Sequence, residues 1–176
     1  MPNCIIKIEE YSIKTGDVFF FDNNIWMYLL CPLGNFNEKK QKAYSKFLNY
    51  IQQRKNHIYV NALVLSEFSN RYIKLDYDII RKSPEKAGLF NDYKRDFVGS
   101  KEYQSSVASI KIQLRNILKI SQRCNDEFNS LNIDNILNVF TGIGFNDSYY
   151  AHYAKYKNLI IISDDSDFLK GKIPDL

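Results

Sequence analysis

The sequence predicts an α/β fold built on a small, mainly parallel sheet. Two short apolar runs, in residues 17–21 and 159–162, lack the polar alternation of a half-exposed strand. They therefore indicate strands that are buried on both faces, as in a parallel sheet. Segments with helical periodicity fill most of the chain between them, and strands that alternate with helices favour parallel pairing.

The composition is that of one ordinary globular domain, which we assign to residues 1–176. Hydrophobic residues make up 45% and charged residues 25% of the chain, which excludes a disordered protein. The formal net charge of +4 is compatible with an anionic partner such as nucleic acid, although such an excess commonly serves solubility alone. We find no secretory signal and no membrane-spanning run, so we expect a cytoplasmic protein without a membrane partner.

Zinc and disulfide chemistry are not expected. The three cysteines are far apart, form no CxxC or Cys/His spacing, and are accompanied by two histidines; these residues are Cys4, Cys31, Cys124, His57 and His152. The odd cysteine count is typical of a reducing compartment.

The first half of the chain predicts two strands and three helices. The strand at 17–21 is apolar and hence central, with Asp22 at its carboxyl end, and a helix follows from residue 25. A helix over 37–54 precedes a second strand, His57–Val60. Asn61 is placed to cap a helix over 62–74, in which Glu67 lies beside an apolar stripe near the beginning.

The middle of the chain leaves two alternatives open. Residues 76–103 are polar and irregular, with aromatic and basic residues alternating. They form either a mobile segment that stacks on bases or a solvated helical hairpin, which we favour. A helix predicted over 105–123 carries four cations spaced four residues apart, namely Lys111, Arg115, Lys119 and Arg123. They form either a solvated ridge or a phosphate-binding surface.

The end of the chain predicts a helix, a strand and an acidic strand end. After a helix at Ile133–Phe140, Asn146 is expected to cap the next helix, and Asp147 in its first turn is favoured by the helix dipole. The strand at 159–162 then delivers a cluster of polar residues to the carboxyl edge of the sheet, namely Ser163, Asp164, Asp165 and Asp167.

Carboxylates thus appear at four places that a parallel sheet brings to one edge. Each acid taken singly is ordinarily a turn residue or a helix cap. Together they offer hard oxygen ligands for Mg²⁺ or Mn²⁺, an ion that activates water and polarises a phosphodiester. These acids are Asp22, Glu67, Asp147 and the group from Asp164 to Asp167.

At four points the sequence resembles the PIN-domain family of nucleases. That family begins with an apolar strand followed by Asp-(Thr/Ser)-Asn and an apolar helix, matched here by residues 20–25. A helix bearing a Glu is matched by residues 64–68, and an Asp that opens a helix of small residues by 146–151. A strand ending in Thr-x-Asp-x-Asp-Phe is matched by residues 162–168.

The resemblance implies a three-layer α/β/α PIN-like fold with its core at about 17–169 and a helical insertion or clip at 76–125. It implies an Mg²⁺- or Mn²⁺-dependent ribonuclease acting on RNA, similar to the stand-alone toxins of toxin–antitoxin pairs, with a small antitoxin as partner and a homodimer as assembly. The catalytic and metal-binding acids it implies are Asp22, Glu67, Asp147 and Asp165, with Asp167 as a further ligand. Asn24, Ser163 and Asp164 are implied to orient them.

The chain departs from the family pattern in three ways: Asn23 replaces a small hydroxyl residue, Ser163 replaces Thr, and residues 76–125 are longer than in compact toxins. Two other functions are weighed against the nuclease. One is a catalytically inactive PIN-like module that binds RNA or organises a complex. The other is a haloacid-dehalogenase-like phosphatase, which is disfavoured because Asn24 stands where a second Asp is needed.

Overall fold

Four parallel strands form the sheet of the computed structural model, which describes residues 6–86 and 88–169 apart from the side chains of Asp167 and Leu169. The strands are β1 (Val18–Phe21), β2 (His57–Val60), β3 (Gln122–Arg123) and β4 (Ile160–Ile162), in the spatial order β3-β2-β1-β4. All three strand pairs are parallel, so the predicted parallel sheet with β1 in its interior is confirmed.

Seven helices accompany the described sheet: α1 (Asn23–Leu30), α2 (Glu38–Gln53), α3 (Ala62–Lys82), α4 (Lys101–Ile120), α5 (Ile133–Phe140), α6 (Phe145–Lys157) and α7 (Ser166–Leu169). A 3₁₀ turn at Pro84–Lys86 and a π-helical turn at Tyr93–Phe97 lie between α3 and α4. Within the described ranges, no helix is both long and apolar enough to cross a membrane.

The three phenylalanines of β1 hold the layers together because successive side chains of a strand point to opposite faces. Phe20 packs against Tyr150 and Tyr153 of α6 on one face. Phe19 packs against Phe47 of α2 on the other face, and all three phenylalanines are almost completely buried. Helices therefore cover both faces of β1, which gives the three-layer α/β/α arrangement.

The last strand of the chain, β4, is less buried than predicted. β4 lies at an edge of the sheet, and Ile160 and Ile161 are only half-buried, whereas Ile162 is buried. An unalternating apolar run indicates burial on both faces but not the number of strand neighbours, and here β1 is the neighbour on one side alone.

Helix boundaries also differ where tertiary packing extends or shifts a helix. α3 continues eight residues beyond the predicted end at residue 74, because Tyr77 on its second half is buried in the core. α4 begins at Lys101 under a cap from Ser100 and ends at Ile120. Arg123 therefore lies on β3, a strand that the sequence did not predict, and the expected four-cation helical ridge is wrong at that residue.

The aromatic residues of the middle region form a buried cluster. The Phe97 side chain is completely buried, and the rings within 5.7 Å of its centroid belong to Tyr77, Phe90, Tyr93 and Tyr103. These rings pack on one another and anchor the hairpin of α3 and α4. The favoured alternative, a helical hairpin with anchoring aromatics, agrees with this packing better than a segment that stacks on bases.

Asn158 ends α6 in the left-handed conformation, with φ 53° and ψ 50°, and turns the chain into β4. Asparagine tolerates this conformation, whereas most residues with a β-carbon are strained by about 1–2 kcal/mol. We expect Asn158→Ala to lower the free energy of unfolding by about 1 kcal/mol and Asn158→Gly to leave it unchanged or raise it. Urea denaturation measures both, and equal stabilities of the Ala and Gly variants would contradict this account.

Candidate active site

The carboxyl ends of β1 and β4 lie side by side and bring two acidic segments together. Phe21 is paired with Ile162, and the backbone N–H of Asp22 donates to the carbonyl of Ile162 at 3.0 Å. The residues that follow each strand, Asp22 on one side and Ser163 on the other, are consequently neighbours. Parallel strands of an α/β sheet place their functional residues at this edge.

The Asp22 carboxylate is buried, with 4% of the residue exposed, and is held by three donors. Its Oδ1 accepts from the backbone N–H of Asn23 at 2.6 Å, so that Asp22 caps α1. Its Oδ2 accepts from Asn24 Nδ2 at 2.8 Å and from Ser163 Oγ at 2.7 Å. These bonds fix the carboxylate in one orientation.

Asn24 and Ser163 also organise the segment after β4. Asn24 Oδ1 accepts from the backbone N–H of Asp164 at 3.2 Å, and Ser163 Oγ accepts from the backbone N–H of Asp165 at 3.0 Å. Asn24 Nδ2 lies 3.2 Å from Ser163 Oγ. Both residues therefore contact Asp22 and the acidic segment at once, as expected for residues that orient the acids.

Glu67, on the second turn of α3, reaches the same region and is held by donors from α6. Its Oε2 accepts from Asn146 Nδ2 and from the Tyr150 hydroxyl, both at 3.0 Å. Its Oε1 lies 3.5 Å from Asn23 Nδ2, a long contact. The prediction that Asn146 caps α6 is wrong: Gly144 occupies the N-cap position, and the Asn146 side chain binds Glu67 instead.

Asp147 lies in the first turn of α6, as predicted, close to the beginning of the helix. Its Oδ2 would be 2.9 Å from a β-carbon at Gly144, so the carboxylate lies over that glycine. Burial, followed by the charges of Glu67, Asp22 and Asp147, raises the pKa of Tyr150 far above its ordinary value. Glu67 accepts from the Tyr150 hydroxyl, and the charges of Asp22 and Asp147 act on the same residue.

The fourth predicted acid, Asp165, is near enough to Asp22 for its charge to affect the pKa of Asp22. Burial, the largest cause, together with the negative charges of Glu67 and Asp165, raises the pKa of Asp22 from 3.8 to about 6, against the opposing hydrogen bonds from Ser163 and Asn23. The four acids Asp22, Glu67, Asp147 and Asp165 therefore lie in one electrostatic neighbourhood at the carboxyl edge of the sheet.

Asp164 belongs to a different set of contacts. Its Oδ2 accepts from the Tyr28 hydroxyl at 2.7 Å and from Lys40 Nζ at 2.6 Å, and its Oδ1 accepts from the Tyr44 hydroxyl at 3.1 Å. Burial alone would raise the pKa of Asp164, but the hydrogen bonds from Lys40, Tyr28 and Tyr44 outweigh it and hold this pKa below its usual value. The side chain fastens the acidic segment to α1 and α2.

The four predicted nucleic-acid-binding cations lie on elements that carry none of these acids. Lys111, Arg115 and Lys119 are exposed on α4, and Arg123 is exposed on β3, at the edge of the sheet opposite β4. Asp167 lies on α7, but its side chain falls outside the described part of the structure.

Sequence reasoning missed four side chains that hold the acids in place: Tyr28, Lys40, Tyr44 and Tyr150. A signal existed for Tyr150, which follows Asp147 by three residues and so shares its helical face. No comparable signal existed for Lys40, because its partner Asp164 is 124 residues away.

Comparison with known protein families identifies the family of this chain. A family model of the PIN domain matches residues 19–173, a range that includes all the acids of this site. The chain belongs to the PIN-domain family. PIN domains have a nuclease fold, typically act on RNA or DNA, and generally use divalent metal ions. No curated protein matches the chain.

The donor chemistry of the site fits such an ion. All four acids offer hard oxygen ligands, and a cation would offset the burial and the neighbouring negative charges that raise the pKa of Asp22. Asn23, which follows Asp22, has a buried Oδ1 without a hydrogen-bond partner among the groups that the structure describes. A cation or its bound water satisfies an oxygen of this kind.

The acids of this PIN domain are nonetheless not arranged as a ready-made ligand set. Over residues 6–86 and 88–169, no three His, Cys, Asp or Glu side chains are grouped so as to hold an ion. Both Glu67 oxygens face donors of the protein. Side-chain rotation would accordingly accompany metal binding.

The raised pKa of Asp22 makes a prediction about stability without metal. A carboxyl whose pKa is higher in the folded state stabilises that state at low pH, and this contribution is lost as the pH rises from about 4 through about 6. At pH 7.5 in EDTA, Asp22→Asn should therefore raise the free energy of unfolding by about 1–3 kcal/mol, with little gain at pH 4. Urea denaturation at both pH values measures the difference.

Asp134→Asn is the matched control, since Asp134 is an exposed acid on α5. We expect this variant to show no such pH-dependent gain. A loss of stability in Asp22→Asn at pH 7.5 would show that Asp22 serves the fold chiefly as a helix cap.

Proposed function

We propose that this protein is a ribonuclease that hydrolyses phosphodiester bonds in RNA with the help of Mg²⁺ or Mn²⁺. The observation that carries the proposal is electrostatic: at the carboxyl edge of a PIN-domain sheet the charges of Glu67 and Asp165 act on Asp22, and those of Glu67, Asp22 and Asp147 act on Tyr150. Burial and the charges of Glu67 and Asp165 raise the pKa of Asp22 and so destabilise the folded state at neutral pH, which a structural cap does not require.

The proposed ligands are Asp22, Glu67, Asp147 and Asp165, with Asp167 as a further ligand. When bound, the ion supplies a Lewis acid for the phosphoryl oxygens and lowers the pKa of a bound water. Asn24 and Ser163 orient Asp22 through its Oδ2. Asn146 and Tyr150 orient Glu67, and the raised pKa of Tyr150 keeps its hydroxyl protonated as a donor.

The resemblance to stand-alone toxins supports three further parts of the proposal. The protein acts in the cytoplasm as the toxin of a toxin–antitoxin pair, a small antitoxin inhibits it, and it assembles as a homodimer. The same resemblance supports RNA, rather than DNA, as the substrate.

A second candidate function is an inactive PIN-like module that binds RNA or organises a complex. The observation that favours it is the lack, among the described residues, of three acids already grouped for an ion. Cleavage and metal binding distinguish the two candidates.

Cleavage of RNA is the direct test of the proposal. We expect the purified protein to cut a labelled mixed-sequence RNA in Mg²⁺ or Mn²⁺ and not in EDTA. Asp22→Asn should lower the cleavage rate at least about 100-fold, because it removes one charged ligand. The control variant Asp134→Asn should retain the rate, and metal-dependent cutting that survives in Asp22→Asn would refute the assigned role of Asp22.

Metal binding is expected to stabilise the fold, because an ion that binds only the folded state adds RT ln(1 + [L]/Kd). A concentration 100-fold above Kd adds about 2.7 kcal/mol, which raises Tm by roughly 5 °C or more in a chain of this size. Differential scanning fluorimetry with Mn²⁺ measures the shift in the parent protein and in Asp22→Asn. A Tm shift without cleavage would favour the inactive module, and equal shifts in parent and variant would place the metal elsewhere.

A further inference from the structure

Helix α2 carries most of its positive charge near its beginning. Its sixteen residues contain four lysines and one glutamate. Three of the lysines, Lys39, Lys40 and Lys42, lie in the first five residues of the helix, and all three are exposed. The sequence reasoning singled out the cations of α4 and gave those of α2 no role.

The beginning of α2 lies next to the acidic site. Lys40 Nζ is 2.6 Å from Asp164 Oδ2, and one turn later the Tyr44 hydroxyl is 3.1 Å from Asp164 Oδ1. Asp164 is the chain neighbour of Asp165, whose charge acts on Asp22. Lys40 and Tyr44, one turn apart on α2, therefore lie at one rim of the carboxylate cluster, and Lys39 and Lys42 lie on the same two turns of the helix.

The cations of α4 occupy a different place although that helix carries the same net charge, with four cations and one glutamate. α4 packs on α3 and leads into β3, which is separated from β4 by β2 and β1. Three strand spacings amount to about 14 Å. An RNA strand that reaches the acids thus meets α2 at the rim of the site.

The contact of Lys40 with Asp164 leaves the ammonium group able to bind an anion. An ammonium has three N–H donors, and the Lys40 side chain is 48% exposed. The Asp164 side chain is 18% exposed and is also held by Tyr28 and Tyr44, so a phosphate can accept from the remaining ammonium donors without displacing Asp164.

We propose that Lys39, Lys40 and Lys42 bind the phosphate backbone of the RNA strand that enters the acidic site. This inference rests on the proposed ribonuclease function and identifies the surface that binds the RNA substrate. The three lysines neutralise phosphates on the side of the site where α2 begins, and the carboxylates act on the adjoining phosphodiester.

Binding of a labelled single-stranded RNA, followed by fluorescence anisotropy in EDTA, tests the inference without cleavage. In the triple variant Lys39→Gln, Lys40→Gln, Lys42→Gln we expect Kd to rise about tenfold at 0.1 M salt. The slope of log Kd against log salt concentration should fall by about 2, because each phosphate contact to a single strand contributes about 0.7.

The matched control removes the same number of charges from α4, in Lys111→Gln, Arg115→Gln, Lys119→Gln. We expect its Kd to change less than twofold. Thermal melting of both triple variants verifies that each is folded before binding is compared.

A second comparison separates RNA binding by Lys40 from mere anchoring of Asp164. If Lys40 only anchors that residue, Lys40→Gln and Asp164→Asn remove the same contact and have the same effect on Kd. We expect Lys40→Gln to weaken RNA binding about two- to threefold and Asp164→Asn to leave it unchanged or strengthen it, since this change releases the lysine and removes a negative charge.

Three outcomes of these binding measurements would overturn the inference. Equal Kd values for the parent and the α2 variant would overturn the inference while leaving the ribonuclease function untouched. Equal losses in the α2 and α4 variants would overturn it in favour of binding by overall charge. No RNA binding by the parent protein would overturn the inference and the proposed function together.

Discussion

The hydrogen bonds that tie Asp22 to the end of β4 are the constraint on which the site depends. Through its backbone N–H and its Oδ2, Asp22 joins the interior strand β1 to Ile162 and Ser163. Asn24, two residues after Asp22, adds a further bond to the same segment, because its Oδ1 accepts from the backbone N–H of Asp164. A shift of β4 by one residue would break these bonds and turn the acidic segment away from Asp22.

Neutral donors hold the carboxylates of Asp22 and Glu67. Asn24 and Ser163 serve Asp22, while Asn146 and Tyr150 serve Glu67. Amide and hydroxyl donors orient a carboxylate without neutralising its charge, so the site keeps a negative potential. Lys40, a cation at this edge of the sheet, is bound to Asp164, whose side chain faces α1 and α2.

Local sequence signals predicted the strands β1, β2 and β4 and the positions of the acids, because apolar runs and the residues that end them are local patterns. Burial of Tyr77 extended α3, and the pairing of Arg123 with Val60 made a strand of a segment predicted as helix. The role of Asn146 was misjudged because a cap and a tertiary contact use the same side chain. Contacts such as that of Lys40 with Asp164 depend on chain packing over 124 residues and leave no local trace.

The place of β4 has a consequence for the nascent protein. β1 and its Asp22 leave the ribosome before β4, and the bond between Asp22 and Ser163 joins residues 141 positions apart. At about 5–20 residues per second, roughly 7–30 seconds of translation separate the two halves of the site. Polypeptides released before β4 is made lack Asp165 and the edge that holds Asp22, so an incomplete chain does not present the four carboxylates together.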